Sequence, residues 1–205
     1  MALAVALVLS AADWWAVARN SKTVEYICKP AATIAFLVAA ALISVDDSLP
    51  KTWRIIALVF CLFGDVFLML PKDAFVPGLA SFAIAQLCFV VSLAAQDTTA
   101  TKLITGLVIV VPTTIFLSRR FITAIKSSGH GELVLPVAVY MVVIAAMATS
   151  AIAGGTAVGI VGAMFFLLSD SLIAEHRFVK ERAWQSVGIM VTYHVAIAGL
   201  ALGLL

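Results

Sequence analysis

The sequence predicts an all-α integral membrane fold, eight transmembrane helices in one bundle, and three observations carry that prediction. Of 205 residues 63% are apolar and only 12% charged, against roughly 45–50% and 25% in soluble domains. Mean hydropathy is +1.14 over the whole length, which leaves no polar stretch long enough for a soluble catalytic domain. Apolar runs of about 20 residues, the length a helix needs to cross ~30 Å of hydrocarbon, recur between short charged or Gly/Pro clusters. We therefore read residues 1–205 as a single polytopic membrane domain. A net charge of +2, with no glycine-rich phosphate loop and no basic stripe interleaved with aromatics, argues against nucleic acid as a partner. The partner implied is the lipid bilayer.

The spans are placed at 2–18, 26–44, 52–70, 75–95, 102–118, 133–153, 156–174 and 183–204. The first has no positive leader and ends in Trp14 and Trp15, so it is expected to be retained as a span. The second opens at Lys29-Pro30, and the third follows Lys51, carries Arg54 at its edge and closes after Asp65. Gly78 and Gln86 fall in the fourth, and Arg119 and Arg120 bound the fifth. Only Gly154-Gly155 separates the sixth from the seventh, and the eighth carries Tyr193 and His194. Short turns imply that consecutive helices are antiparallel neighbours. Ten of the thirteen Lys and Arg fall in odd-numbered turns, so the positive-inside rule puts those turns in the cytoplasm and both termini outside the cell membrane. Trp14, Trp15, Tyr26, Trp53 and Trp184 stand near span ends, where an interfacial belt belongs.

Ionisable residues inside spans are the informative ones, because an Asp near a helix centre costs ~2.5–3.5 kcal/mol on insertion scales. Asp65 precedes the end of span three by five residues and Asp170 that of span seven by four. Both carboxyls then sit roughly 6–8 Å below the cytoplasmic end at 1.5 Å rise per residue. Lys29, Ser81, Gln86, Tyr140, Tyr193 and His194 fall in the same layer and are candidate substrate-binding groups, with Asp13 at a similar depth. Phe60-Cys-Leu-Phe-Gly64-Asp65 parallels Phe165-Phe-Leu-Leu-Ser169-Asp170 at an offset of half the chain. Two parallel four-helix halves, with the carboxylates facing each other in one shielded chamber, would produce that pattern. Three scattered histidines without paired spacing argue against a metal, and no cofactor is implied. Cys28, Cys61 and Cys88 read as small buried hydrophobes. Gly155-xxx-Gly159 and Gly199-xxx-Gly203 read as helix-packing faces.

Four stretches give a family resemblance: Lys29-Pro30 in the second span, Gly64-Asp65 in the third, Phe75-Val-Pro-Gly78-Leu-Ala-Ser-Phe82 in the fourth, and Gly162-Ala-Met-Phe165-Phe-Leu-Leu-Ser169-Asp170 in the seventh. Together they resemble the YhhN family of lysoplasmalogenase-like membrane hydrolases. The resemblance implies cleavage of the vinyl ether bond of lysophospholipids to a fatty aldehyde and a glycerophospho-base, with Asp65 and Asp170 as the catalytic pair. Two departures stand out: Gln86 replaces an expected His, and Tyr193-His194-Val-Ala196 replaces a Tyr-x-x-Ala-Gln pattern. The residues alone leave a small-molecule or proton-coupled transporter as the alternative, since buried carboxylates serve either task, and a purely structural packing role as a third reading.

Overall fold

The computed structural model describes residues 1–44, 48–72 and 74–203; Leu204, the end of the eighth expected span, lies outside them. Among the described residues the chain is helical, with no strand. Eight α-helices follow in order: α1 (Ala2–Ala18), α2 (Lys22–Leu42), α3 (Ser48–Met69), α4 (Phe75–Ala94), α5 (Ala100–Ser127), α6 (Val134–Gly154), α7 (Ala157–Ala174) and α8 (Gln185–Leu202). Seven of them, α2 to α8, are long and apolar enough to cross a membrane, while α1 has 17 residues. The protein is an integral multi-pass membrane protein.

The helices pack as hairpins, α1 on α2, α3 on α4, α5 on α6 and α7 on α8, and the bundle closes through contacts of α8 with α1, α2 and α3. α4 packs on α6, which carries α5 on its other side. The main core collects Phe36, Leu58, Phe89, Ile144, Phe166 and Ile197. A second cluster of Phe75, Phe121, Ile125, Val137, Met141 and Phe178 fills one end. This second cluster explains why α5 runs to Ser127 and not to residue 118: Phe121 and Ile125 are buried on the extension, so Arg119, Arg120 and Lys126 stand on a helix and not in a turn. Thr99 caps the start of α5 by accepting from Lys102 N at 3.3 Å, satisfying a donor that helix geometry leaves free.

The break between α6 and α7 falls at Gly154-Gly155. Gly155 leaves the helix in an extended conformation and Thr156 caps α7 by accepting from Gly159 N. Small residues then let α7 and α8 meet backbone to backbone. A Cβ on Gly199 would lie 2.6 Å from Gly162 Cα, and one on Gly203 would lie 2.8 Å from Gly159 Cα. The packing pair is thus Gly159 and Gly162 with Gly199 and Gly203, whereas Gly155 belongs to the turn.

Three expectations change. Trp15, Trp184 and Tyr26 are exposed, as a belt demands, but Trp14 turns inward to His194 and Trp53 packs against the core. Arg54, read from sequence as a charge at a span edge, is fully buried. Its Nη1 donates to the Leu200 carbonyl at 2.8 Å and its Nε to Ser92 at 3.3 Å, while Ser92 donates to the Pro50 carbonyl. A guanidinium with five donors can satisfy the carbonyls left free where a helix ends. Cys28 is half-buried; Cys61 and Cys88 are buried, and all three are free thiols.

Candidate active site

Asp65 lies four residues before the end of α3 and is wholly buried. Its Oδ2 accepts from Thr33 Oγ1 at 2.7 Å and from the Tyr193 hydroxyl at 2.8 Å, and Lys29 Nζ stands 3.4 Å from Oδ1. Lys29 and Thr33 are four apart on α2, so one helix face delivers both. The Lys29 ammonium also faces the Tyr193 ring, 5.6 Å from its centroid. Sequence reading had singled out Lys29, Tyr193 and Asp65. It missed Thr33, which a search for polar residues one turn from Lys29 could have found.

Asp170 lies four residues before the end of α7 and accepts a hydrogen bond from the Tyr140 hydroxyl of α6. It opens into a cavity of about 40 Å³ whose other walls are apolar, among them Leu79, Phe82, Met141 and Phe178. That exceeds the roughly 10–15 Å³ a single water needs. Gln86, fully buried, lies beside Tyr140. Phe82 is common to both carboxyls. Its ring packs edge-on to Tyr193 at 5.9 Å, occupies the space that a Cβ on Gly64 would need, and lines the cavity of Asp170. The side chain at residue 64 is absent so that this ring can sit there.

A polar cleft of about 510 Å³ opens above these groups, with Lys22, Glu25, Lys29, His176, Arg177 and Glu181 among its walls. Leu68, Phe75 and Ile173 line both the cleft and the cavity of Asp170, so one apolar wall divides them. The Arg177 guanidinium caps that wall, 4.3 Å from the Phe75 ring centroid and 5.7 Å from that of Phe178. Both aromatics pack edge-on to each other. Arg177 and Phe178 ride on a single π-helical turn, Glu175–Val179. Glu175 pins that turn through a two-pronged pair with Arg120 (2.9 and 2.8 Å) and a contact to Arg182 at 3.4 Å. The sequence marked these bases only as topology signals.

The remaining candidates make the following contacts. Ser81 donates to the Phe60 carbonyl at 2.7 Å and ties α4 to α3. His194 Nδ1 accepts from the Trp14 indole at 2.9 Å, which turns it away from the Asp65 cluster. Asp13 is fully buried on α1. Among the described residues, no three His, Cys, Asp or Glu side chains come together as a metal-ligating set.

A wholly buried carboxyl paired with a lysine and a half-buried one against an apolar cavity, with a charged cleft beside them, form the candidate polar site of a multi-pass membrane protein. The model of the YhhN family matches residues 24–204, and the chain belongs to that family. Similar curated proteins include the lysoplasmalogenases of Mycobacterium tuberculosis and Mycobacterium bovis. Each is 31% identical over 169 residues, covering 80% of this chain and 65% of the relative. Human lysoplasmalogenase TMEM86B is 33% identical over 140 residues, covering 68% of this chain and 58% of the relative. The chain thus spans about two-thirds or less of the length of these relatives. No solved structure matches it.

Proposed function

We propose that this protein hydrolyses the vinyl ether bond of lysoplasmalogens, releasing a fatty aldehyde and a glycerophospho-base. The observation that carries the reading is the unequal setting of the two carboxyls. Asp65 has Lys29 and two hydroxyl donors, the surroundings that hold an anion. Asp170 has one hydroxyl partner and apolar walls, the surroundings of a neutral acid. Asp170 gives its proton to the β-carbon of the vinyl ether, making an oxocarbenium ion that the Asp65 carboxylate stabilises. Water adds at the α-carbon and its proton returns to Asp170. The hemiacetal then collapses to the aldehyde and the free hydroxyl of the glycerophospho-base.

In this reading the cleft takes the headgroup at the cytoplasmic end, the termini lie outside, and α1 is an eighth span. Gly64-Asp65 and Ser169-Asp170, each four residues before a helix end, are the matching points of two parallel halves. The relatives are named for hydrolysis, which favours this over a carrier. Aldehyde release from a lysoplasmalogen panel by detergent-purified protein tests it. Asp65→Asn and Asp170→Asn should each lower turnover by about 10²-fold or more. Full turnover by either folded variant refutes the roles given.

A further inference from the structure

The outer face of α5 changes character along its length. Where α5 packs beside the π-helical turn, a groove of about 780 Å³ follows the helix, with Val179 at the end of the turn as its other wall. The residues of α5 that line it recur at helix spacing: Pro112, then Ile115 and Phe116, then Arg119 and Arg120, then Thr123. Apolar rungs thus give way to a cationic rung and then to a hydroxyl. Ile115 is 48% and Phe116 68% exposed, so nothing in the described chain covers the apolar part.

The cationic rung is built to take a further acceptor. Arg119 is exposed and makes no hydrogen bond or ion pair among the described residues. Arg120 gives Glu175 its Nε and Nη2, at 2.9 and 2.8 Å, and its side chain is 46% exposed. A guanidinium carries five N–H donors, so Glu175 fixes the orientation of Arg120 and leaves Nη1 available. Arg182 contacts the same Glu175 carboxylate at 3.4 Å. Three guanidiniums therefore stand against Glu175 and the patch keeps a positive excess, while the nearby Glu181 lines the cleft.

This arrangement selects its ligand. Two adjacent guanidinium forks match the oxygens of a phosphate, and the apolar rungs from Arg119 back to Pro112 extend about 10 Å, a surface for acyl chains. The guanidiniums stand where the apolar run of α5 ends, the depth of lipid phosphates. The positive-inside rule assigns this end to the cytoplasm, whose leaflet carries the anionic lipids. An ammonium headgroup finds no carboxylate to spare, because Arg120 and Arg182 already share Glu175.

We infer that this groove binds an anionic phospholipid, its phosphate bridging Arg119 and Nη1 of Arg120, its chains on Pro112, Ile115 and Phe116, and a headgroup hydroxyl at Thr123. Through Arg120 and Val179 the lipid braces the turn that carries Arg177 and Phe178. The site is separate from the cleft and does not depend on the proposed hydrolysis. Native mass spectrometry of the full chain in detergent, with equal amounts of phosphatidylglycerol and phosphatidylcholine, reads the preference. Phosphatidylglycerol carrying a diazirine in one chain maps the position. Phosphatidylglycerol should be retained about tenfold or more over phosphatidylcholine, since each Lys or Arg beside an anionic headgroup is worth about fivefold. Label should fall on Ile115 or Phe116. Arg119→Gln leaves the pair of Arg120 with Glu175 in place and should lower the preference about fivefold. Lys126→Gln removes the same charge from the same end of α5, outside the groove, and should leave the preference unchanged. Equal retention of the two lipids overturns the inference, as does label away from α5. An equal loss in both variants overturns it in favour of general attraction by a basic end. Competition by glycerol phosphate as effective as that by the lipid leaves only a soluble-anion site, and a dimer that covers this face without lipid leaves a protein interface; either overturns it. Should Arg119→Gln not fold, the wild-type preference and the position of the label decide.

Discussion

Replacing Lys29 by Met tests whether the Asp65 cluster is held by charge. The ammonium stands 3.4 Å from Asp65 Oδ1, with both side chains almost wholly buried. At that distance and an effective dielectric constant of about 20, the attraction is roughly 5 kcal/mol before desolvation is deducted. Removing one partner of a buried pair leaves the other uncompensated, which costs about 3–5 kcal/mol. Thr33 and Tyr193 still donate to Oδ2 and cover part of that loss. Lys29→Met should therefore destabilise the protein by about 3 kcal/mol, a fall in Tm of roughly 6–12 °C for a chain of this size. Adding Asp65→Leu should recover most of the lost stability, because a buried ion pair replaced by apolar residues is often neutral or better, yet the double variant should release no aldehyde. Thermal unfolding in detergent followed by intrinsic fluorescence, with the aldehyde assay on the same preparations, measures both. A double variant no more stable than Lys29→Met alone would refute the ion pair.

Tyr193→Phe keeps the ring against Phe82 and Phe166 but removes a donor to Asp65. It should cost about 1–3 kcal/mol together with a loss of turnover larger than that of Ser81→Ala, read in parallel assays. Gly199→Ala places a methyl 2.6 Å from Gly162 Cα and should lower stability by about 1–3 kcal/mol. Gly131→Ala meets nothing within 4 Å and should leave Tm within about 2 °C, since surface changes rarely exceed ±0.5 kcal/mol. Arg54→Met strips the Leu200 carbonyl and Ser92 of a buried donor. It should lower Tm clearly while turnover per folded molecule stays near wild type, because Arg54 belongs to neither carboxyl's surroundings.

The membrane class, the positions of the helices and the residues worth suspecting were legible in the sequence for one reason. Hydrocarbon penalises every charge, so each ionisable residue inside a span marks itself. Asp13, Lys29, Asp65, Asp170 and His194 stand out on that ground, Tyr140 and Tyr193 because they fall in the same polar layer, and Gly154-Gly155 sufficed to divide α6 from α7. The length of α5 was not legible, because Arg119 and Arg120 read as a stop until Phe121 and Ile125 are seen buried against Phe178.

Partnership was also beyond the sequence. Depth along a helix can be counted at 1.5 Å per residue, but azimuth and the packing of non-neighbouring helices cannot. The sequence therefore placed His194 in the polar layer without revealing that Trp14, 180 positions away, claims its Nδ1. It placed two aspartates at one depth without revealing that one is met by Lys29, Thr33 and Tyr193 and the other, among the described residues, by the Tyr140 hydroxyl. Arg54 shows the same limit, since a carbonyl at Leu200 becomes its acceptor only when α3 and α8 are brought side by side. Composition and the cost of burying charge determined what the protein is made of and where its chemistry had to lie. Only the packing of helices distant in sequence decided which polar groups satisfy each other.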